Sequence, residues 1–103
     1  MSVLKKLEEF DKDGGVYKYV KFADGRVLFC DGASTLASHI QIVNERAKEV
    51  PVAPMSAGMI SVLRGRWRIC DGGSVTARLP RGKDDEDYIE KELGEGFKWD
   101  SGI

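Results

Sequence analysis

Two ten-residue segments, forty positions apart, constrain the fold of this chain more than any other feature. Gly25 to Ser34 reads GRVLFCDGAS and Gly65 to Ser74 reads GRWRICDGGS, with six identical positions. In both segments a glycine turn precedes a short strand-like run that ends at Cys-Asp-Gly. Each segment therefore predicts the second strand of a β-hairpin followed by a turn. A duplication and shared turn chemistry are both compatible with so short a match.

The first hairpin combines an alternating run from Val16 to Phe22 with the VLFC run that follows it. If the Asp-Gly pair at positions 24 and 25 forms a two-residue turn, Lys18 pairs with Asp31. One face of the ribbon then carries Val16, Lys18, Val20, Phe22, Val27, Phe29 and Asp31. Lys18 on this apolar face is either neutralised by Asp31 or extended past the sheet edge, or it is a cation directed into a pocket.

A helix is predicted after this hairpin, because the apolar period changes from two to between three and four. The apolar positions are Leu36, Ile40, Val43, Ala47 and Val50. Ser34 or Thr35 is the predicted N-cap, and the prolines at positions 51 and 54 prevent the helix from continuing.

The rest of the chain predicts a second hairpin, a second helix and a last strand. With Arg64 and Gly65 as the turn, one face of the second hairpin carries Ile60, Val62, Trp67 and Ile69. The acidic DDEDYIEKEL segment reads as a helix whose first turn suits the helix dipole. Phe97 to Trp99 alternates like a strand, and the first ten residues have the apolar spacing of a short helix or turn.

These elements predict one α+β domain spanning residues 1–103. Its architecture is an α/β sandwich, with a mixed, mostly hairpin-built sheet of five or six strands under two main helices.

With 16 Lys and Arg against 17 Asp and Glu, the net charge of -1 disfavours nucleic acid as a partner. No apolar run reaches the length of a membrane span, and the N-terminus does not resemble a signal peptide. We expect a cytoplasmic monomer without a membrane partner.

His39 is the only histidine, so imidazole chemistry depends on it. It lies four or five positions beyond the predicted N-cap, where the helix dipole disfavours protonation and backbone N–H groups are free. A neutral imidazole in that position is suited to attack a phosphoryl group or to activate water against one. The alternative is that His39 is a polar residue at the margin of the apolar stripe.

The glycine-rich turn from Gly72 to Thr76 could form a concave anion nest from its amides, although it matches neither a Walker loop nor a dinucleotide fingerprint.

The second hairpin is basic, since it carries Arg64, Arg66 and Arg68. Trp67 between them points to the other face, which favours an ordinary solvated surface over nucleic-acid binding. Two cysteines and one histidine do not complete a zinc site, so no metal or other cofactor is predicted.

The order of these segments resembles the Janus/Ocnus family over Asp13 to Gly102, with gaps. The matching stretches are DGGVYKYV with Lys18, Gly32 seven residues before His39, His39-Ile40-Gln41-Ile42 (family His-Ala-Asp-Ile), Ala57-Gly58-Met59-Ile60-Ser61 (Gly-Gly-Arg-Ile-Ser), Gly72 to Thr76 (Gly-Tyr-Ser-Met-Ala) and Trp99 to Ile103. The resemblance implies a metal-independent protein phosphohistidine phosphatase, with a phosphorylated protein or peptide as its substrate.

The resemblance also assigns roles to individual residues. It makes His39 the catalytic residue, and it gives phosphate binding to Lys18, to the amide of Ile40 and to the loop formed by Ser74, Val75 and Thr76. Three positions depart from the family pattern, which usually has tyrosine before the histidine, arginine at Met59 and a basic residue at Asp31. These departures favour the alternative function, a non-enzymatic module of the same fold that binds a phosphorylated or acidic partner.

Overall fold

The computed structural model describes residues 3–33, 38–74 and 77–100. Its elements in chain order are β1 (Leu4–Lys5), a 3-10 turn (Leu7–Glu9), β2 (Gly14–Phe22), β3 (Val27–Asp31), α1 (His39–Ala47), β4 (Pro54–Leu63), β5 (Arg66–Gly72), α2 (Asp85–Leu93), a second 3-10 turn (Gly94–Gly96) and β6 (Lys98–Trp99). The Cα radius of gyration is 12.5 Å, that of a compact chain of this length.

The six strands form one sheet in the order β1-β3-β2-β4-β5-β6. All neighbouring strands are antiparallel except β5 and β6, which are parallel. Helix α1 packs on one face through Ile42, and α2 packs on the other through Ile89 and Leu93. The predicted fold class, a mixed and mostly hairpin-built sheet with two main helices, is confirmed. Among the described residues, neither helix has the length and apolar composition needed to cross a membrane.

The first hairpin is present, but its register differs from the predicted one. Lys18 pairs with Cys30, and Asp31 pairs with Tyr17. The N–H of Phe22 donates to the carbonyl of Arg26, so the connection contains more than the two residues expected from its Asp-Gly pair. Because a shift of one residue exchanges the faces of a strand, β3 presents the opposite set of side chains to the one predicted.

The second hairpin has the predicted pairing. Ile60 pairs with Ile69 and Val62 with Trp67, and both pairs contribute to the α2-side core. The turn at positions 64 and 65 has φ values of 53° and 76°, which is the left-handed geometry of a tight two-residue hairpin turn.

Helix α1 begins later than predicted. Its N-cap is Ser38, and the side chain of Gln41 accepts a hydrogen bond of 2.8 Å from the Ser38 N–H. The positions predicted for the N-cap, 34 and 35, lie outside the described residues. The buried face consists of His39, Ile42 and Arg46, whereas Ile40 is 37% exposed. The predicted apolar stripe is therefore out of phase with the buried face of α1. Two of the residues on that buried face, His39 and Arg46, are polar, and pattern analysis assigns them to solvent.

The two ends of the chain differ in how well the pattern predicted them. Leu4 and Lys5 form a strand that pairs with β3, and residues 7–9 form a 3-10 turn, so of the predicted short helix or turn only the turn is present. The second helix and the final strand are both present, and β6 pairs with β5 through Trp67 and Trp99.

Candidate functional site

His39 lies at the first position of α1, and its ring lies over β4. Ring nitrogen Nε2 is 2.8 Å from the carbonyl oxygen of Gly58. A carbonyl oxygen only accepts hydrogen bonds, so Nε2 must carry the proton. In the neutral ring the basic lone pair is therefore on Nδ1.

The surroundings of His39 favour this neutral form. The side chain is 8% exposed. Burial lowers the pKa of His39, and the positive charge of Lys18 lowers it further, while the Gly58 hydrogen bond and the charge of Asp71 act in the opposite direction. The pKa lies below the ordinary histidine value, so at neutral pH the ring carries a basic nitrogen and no charge.

Lys18 lies on the neighbouring strand, close to the position where His39 meets the sheet. In β2 it pairs with Met59, and the next residue, Tyr19, pairs with Gly58. Because adjacent strands are about 4.8 Å apart, this register places the Lys18 backbone beside the part of β4 that holds the histidine ring. The predicted partner of Lys18, Asp31, belongs to the opposite face of the sheet by its pairing with Tyr17.

Ser74 follows β5 on the other side of Gly58. Gly72 pairs with Gly58, and the N–H of Gly73 donates to the carbonyl of Ala57 at 2.7 Å. The Ser74 N–H donates to the Leu79 carbonyl at 2.7 Å, so this amide is used within the loop. The Ser74 hydroxyl oxygen accepts a hydrogen bond of 3.2 Å from the Ala77 N–H. Val75 and Thr76, the other predicted loop residues, lie outside the described residues.

The amide of Ile40 is the second N–H of α1. The next two N–H groups, those of Gln41 and Ile42, donate to the carbonyl of the N-cap Ser38. The first N–H groups of a helix have no acceptor in the preceding turn and carry the positive end of the helix dipole. The Ile40 amide thus has the electrostatic character that an anion requires, directly after the histidine.

The cysteines do not supply a nucleophile to this region at neutral pH. Burial raises the pKa of Cys30 to about 11, with the charge of Lys18 opposing the shift. Burial also raises the pKa of Cys70, an exposed residue whose thiol lies 3.7 Å from the Met59 carbonyl. Both groups are thiols rather than thiolates at pH 7. Across the described residues, no group of three or more Cys, His, Asp and Glu side chains is arranged to hold a metal ion.

Gly58 is a residue of the candidate site that sequence reasoning did not identify. A Cβ atom at this position would lie 2.7 Å from the Asp71 carbonyl oxygen and 2.8 Å from the Tyr19 hydroxyl. The glycine therefore gives space on the α2 side to the Tyr19 ring, and its carbonyl holds His39. A glycine inside an alternating strand is the sequence signal that could have indicated this close approach.

A buried carboxylate lies on the other side of the sheet. Asp85, the first residue of α2, is fully buried and accepts hydrogen bonds from the hydroxyls of Tyr19 and Ser56, both at 2.6 Å, and from the Gly82 N–H at 2.9 Å. The ammonium of Lys21 is 3.8 Å from the same carboxylate. Burial and the Asp85 hydrogen bond raise the pKa of Tyr19. The sequence pattern does not reveal this cluster, because four successive acidic residues, Asp84 to Asp87, lie at the start of α2 and only the helical phase selects the one that is buried.

Two surface grooves lie away from His39. One runs along α2 and β6 and is lined by Phe97 and Trp99, and the other lies beside β1. Neither contains a histidine or a cysteine. The region around Gly58 is therefore the candidate site on grounds of chemistry rather than groove size.

No family model matches the chain, and no significant match was found among curated proteins or solved structures.

Proposed function

We propose that this protein is a metal-independent phosphatase that removes phosphate from phosphohistidine in proteins, as its resemblance to the Janus/Ocnus family implies. The observation that carries the proposal is the hydrogen bond between His39 Nε2–H and the Gly58 carbonyl, which leaves Nδ1 as the basic nitrogen of the chain's only histidine. The lowered pKa keeps this nitrogen unprotonated at neutral pH.

The groups near His39 have the character that a phosphoryl group requires. Lys18 supplies a positive charge whose effect reaches the imidazole. The Ile40 amide supplies a hydrogen-bond donor directly after His39, and the resemblance adds the loop that begins at Ser74. Preorganised charges and donors of this type stabilise the charge that develops on phosphoryl oxygens in the transition state. A P–N bond breaks readily once the leaving nitrogen is protonated, so positioning and charge stabilisation carry the reaction.

Two routes use His39 Nδ1. In the first, Nδ1 takes a proton from water, the water oxygen bonds to phosphorus, and the P–N bond breaks. Its electron pair stays on the substrate imidazole, which leaves with a proton, and inorganic phosphate is released. In the second, Nδ1 itself bonds to phosphorus and displaces the substrate imidazole, and water then hydrolyses the new P–N bond on His39.

Phosphate release from a phosphohistidine peptide in excess EDTA tests the proposal. We expect turnover by the parent protein and a loss of at least about 100-fold in His39→Gln, since general-base catalysis commonly contributes that much. Glutamine can still donate to the Gly58 carbonyl, so this variant removes the basic nitrogen and keeps the contact. Activity that is absent in the parent, or unchanged in the folded His39→Gln variant, would retire the proposal.

The charge of Lys18 is tested in the same assay with a matched pair of variants. Lys18→Met removes the charge and keeps much of the chain length, whereas Lys18→Arg keeps the charge. We expect Lys18→Met to lose about tenfold or more in kcat/KM, since one charge-assisted contact contributes about 1.5 to 3 kcal/mol. Lys18→Arg should retain more activity than Lys18→Met, and the reverse order would exclude an electrostatic role.

The two routes differ in one trapped species. Rapid denaturation in alkali during turnover should leave phosphate covalently bound to the protein only if His39 accepts the phosphoryl group. Such acid-labile label on the parent, absent from His39→Gln, would select the second route. Turnover without label would select the water route.

The alternative function is a binding module that holds a phosphorylated or acidic partner without turnover. It is favoured by Met59 beside Lys18, where the family has arginine, and by the charge of Asp71 acting on His39. An apolar and an acidic residue near the phosphoryl position both reduce the stabilisation of a dianion. Tight binding of a phosphohistidine peptide without phosphate release would support this function over the enzyme.

A further inference from the structure

The sheet face that holds Lys18 continues beyond α1 as an open surface. Among the described residues, α1 packs mainly on β2 and β3, and the β5 and β6 side chains on this face are exposed. The register places Arg68 opposite Ser61, Arg66 opposite Leu63, and Lys98 beside Arg66. We call Arg66, Arg68 and Lys98 the basic strip.

The basic strip concentrates positive charge on exposed side chains. All three side chains are exposed, and none takes part in the five ion pairs found among the described residues. Two carboxylates lie nearby: Asp71, in the same strand, pairs with Met59 on the Lys18 side of the strip, and Asp100 follows β6. Leu63, on the same face, is 60% exposed and adds an apolar contact surface. The chain as a whole has a net charge of -1, so this concentration of cations is local.

We propose that the basic strip binds an acidic polypeptide segment that flanks the phosphohistidine of the substrate. This inference rests on the proposed function and adds a substrate class to it. The negative charge of such a peptide comes from Asp and Glu side chains, whose carboxylates bind guanidinium groups in a bidentate manner. On an open face, such ion pairs form and exchange easily. The strip and Lys18 lie on the same face, with β4 between their strands β5 and β2, so this face connects the strip to the proposed phosphoryl position.

The spacing of the sheet gives the position of the acidic residues. Adjacent strands are about 4.8 Å apart and strand residues rise about 3.3 Å, so the Cα atoms of Arg68 and Arg66 are about 12 Å and about 16 Å from that of Lys18. An extended peptide covers these distances in about four and about five residues. We therefore expect acidic residues about three to five positions from the phosphohistidine, on one side of it.

Nucleic acid fits this surface less well than an acidic peptide. Trp67 is fully buried on the opposite face of the sheet, and the basic strip has no aromatic side chain on which a base could stack. Single-stranded nucleic-acid sites usually combine a cationic groove with such aromatic groups. Binding of RNA is retained as one outcome of the test.

The test compares phosphohistidine peptides of equal length that differ only in their flanks. One peptide has Glu three to five positions before the phosphohistidine, one has Glu three to five positions after it, and the reference has Gln at all of these positions. At low salt we expect kcat/KM for one acidic peptide to exceed that of the reference about fivefold, as two exposed ion pairs would give. A ratio of one for both acidic peptides would overturn the proposal.

Matched variants connect the preference to the strip. In Arg66→Gln/Arg68→Gln, the ratio of kcat/KM for the acidic peptide to that for the Gln reference should fall to about one. High salt should also lower this ratio in the parent protein. Lys83→Gln/Lys91→Gln removes the same charge from exposed positions of the α2 side and should keep the ratio. Thermal melting checks that both variants are folded. An equal fall in both variants would mean that net charge, not the strip, sets the preference, and would overturn the proposal.

A binding measurement separates this inference from the proposed activity. Fluorescence anisotropy with a labelled Glu-rich peptide lacking phosphohistidine reports on the strip whether or not the protein turns over substrate. If no peptide is hydrolysed but the Glu-rich peptide binds and Arg66→Gln/Arg68→Gln abolishes this binding, the enzyme proposal fails and the surface remains. If the Glu-rich peptide does not bind, or if a single-stranded RNA of equal length binds more tightly, the acidic-peptide proposal is overturned.

Discussion

The buried contact between Tyr19 and Asp85 allows a quantitative prediction, made with Tyr19→Phe. The substitution removes one hydroxyl that donates to a fully buried carboxylate at 2.6 Å and leaves the ring in place. A hydrogen bond to a charged group contributes about 1.5 to 3 kcal/mol, and we expect a loss of about 2 kcal/mol in the free energy of unfolding. For a domain of this size, this corresponds to a fall in Tm of about 10 °C.

The loss should not be larger, because Asp85 keeps its bonds to the Ser56 hydroxyl and to the Gly82 N–H. Urea unfolding followed by tryptophan fluorescence measures the change. Tyr88→Phe is the control, since Tyr88 is only half-buried and its ring contacts with Lys21 do not need the hydroxyl. It should change stability by less than about 0.5 kcal/mol.

A double-mutant cycle assigns the effect to the pair. If Tyr19 acts through Asp85, Tyr19→Phe should cost much less in an Asp85→Asn background, with a coupling energy of about 1 kcal/mol or more. Equal costs in the two backgrounds, or a loss below about 0.5 kcal/mol in the parent, would refute the assignment of a strong buried hydrogen bond.

Three further predictions concern the candidate site. Gly58→Ala should destabilise the fold by about 1 to 3 kcal/mol, because the added Cβ would lie 2.7 Å from the Asp71 carbonyl oxygen, and should impair catalysis. Unfolding curves measure the stability change, and phosphate-release rates measure the change in catalysis. Lys18→Met should raise the pKa of His39, and Asp71→Asn should lower it. A pH titration of the ring signals of this single histidine measures both shifts. Shifts in the opposite directions would contradict the charge assignments. With a pKa of about 11, Cys30 should resist iodoacetamide in the native protein at pH 7.5 and react after unfolding, which mass spectrometry can follow.

Much of the fold was predictable because the local signals agree with the tertiary structure. The alternating runs of both hairpins, the turn at Arg64 and Gly65, and the acidic start of α2 each identified an element of the correct type. The face of the second hairpin was also correct, since a two-residue turn fixes its register. For such elements, period and turn chemistry were sufficient.

The register of the first hairpin was not predictable from the same signals. An Asp-Gly pair suggests a two-residue turn, but the backbone of Phe22 closes on Arg26 instead, and Lys18 faces Cys30 rather than Asp31. A one-residue difference in loop length reverses the face of every following side chain. Sequence alone does not distinguish the two loop lengths.

The phase of α1 was missed for a related reason. Pattern analysis places apolar residues inside, yet the buried face includes His39, held by Gly58, and Arg46, whose guanidinium donates to Asp24. Burial of these two side chains depends on partners from distant segments, the Gly58 carbonyl and the Asp24 carboxylate. Those partners are set by tertiary packing, so the sequence identified His39 as a candidate but not the carbonyl that fixes its tautomer.

Titration of the protein with inorganic phosphate, followed on the ring signals of His39, is the most direct test of the proposed anion site. We predict that phosphate shifts these signals, moves the amide signal of Ile40 and raises the pKa of His39, since a bound anion favours the imidazolium form. Lys18→Met should weaken this response. Ring signals that stay constant at saturating phosphate, with shifts confined to the basic strip, would contradict a phosphoryl site at His39.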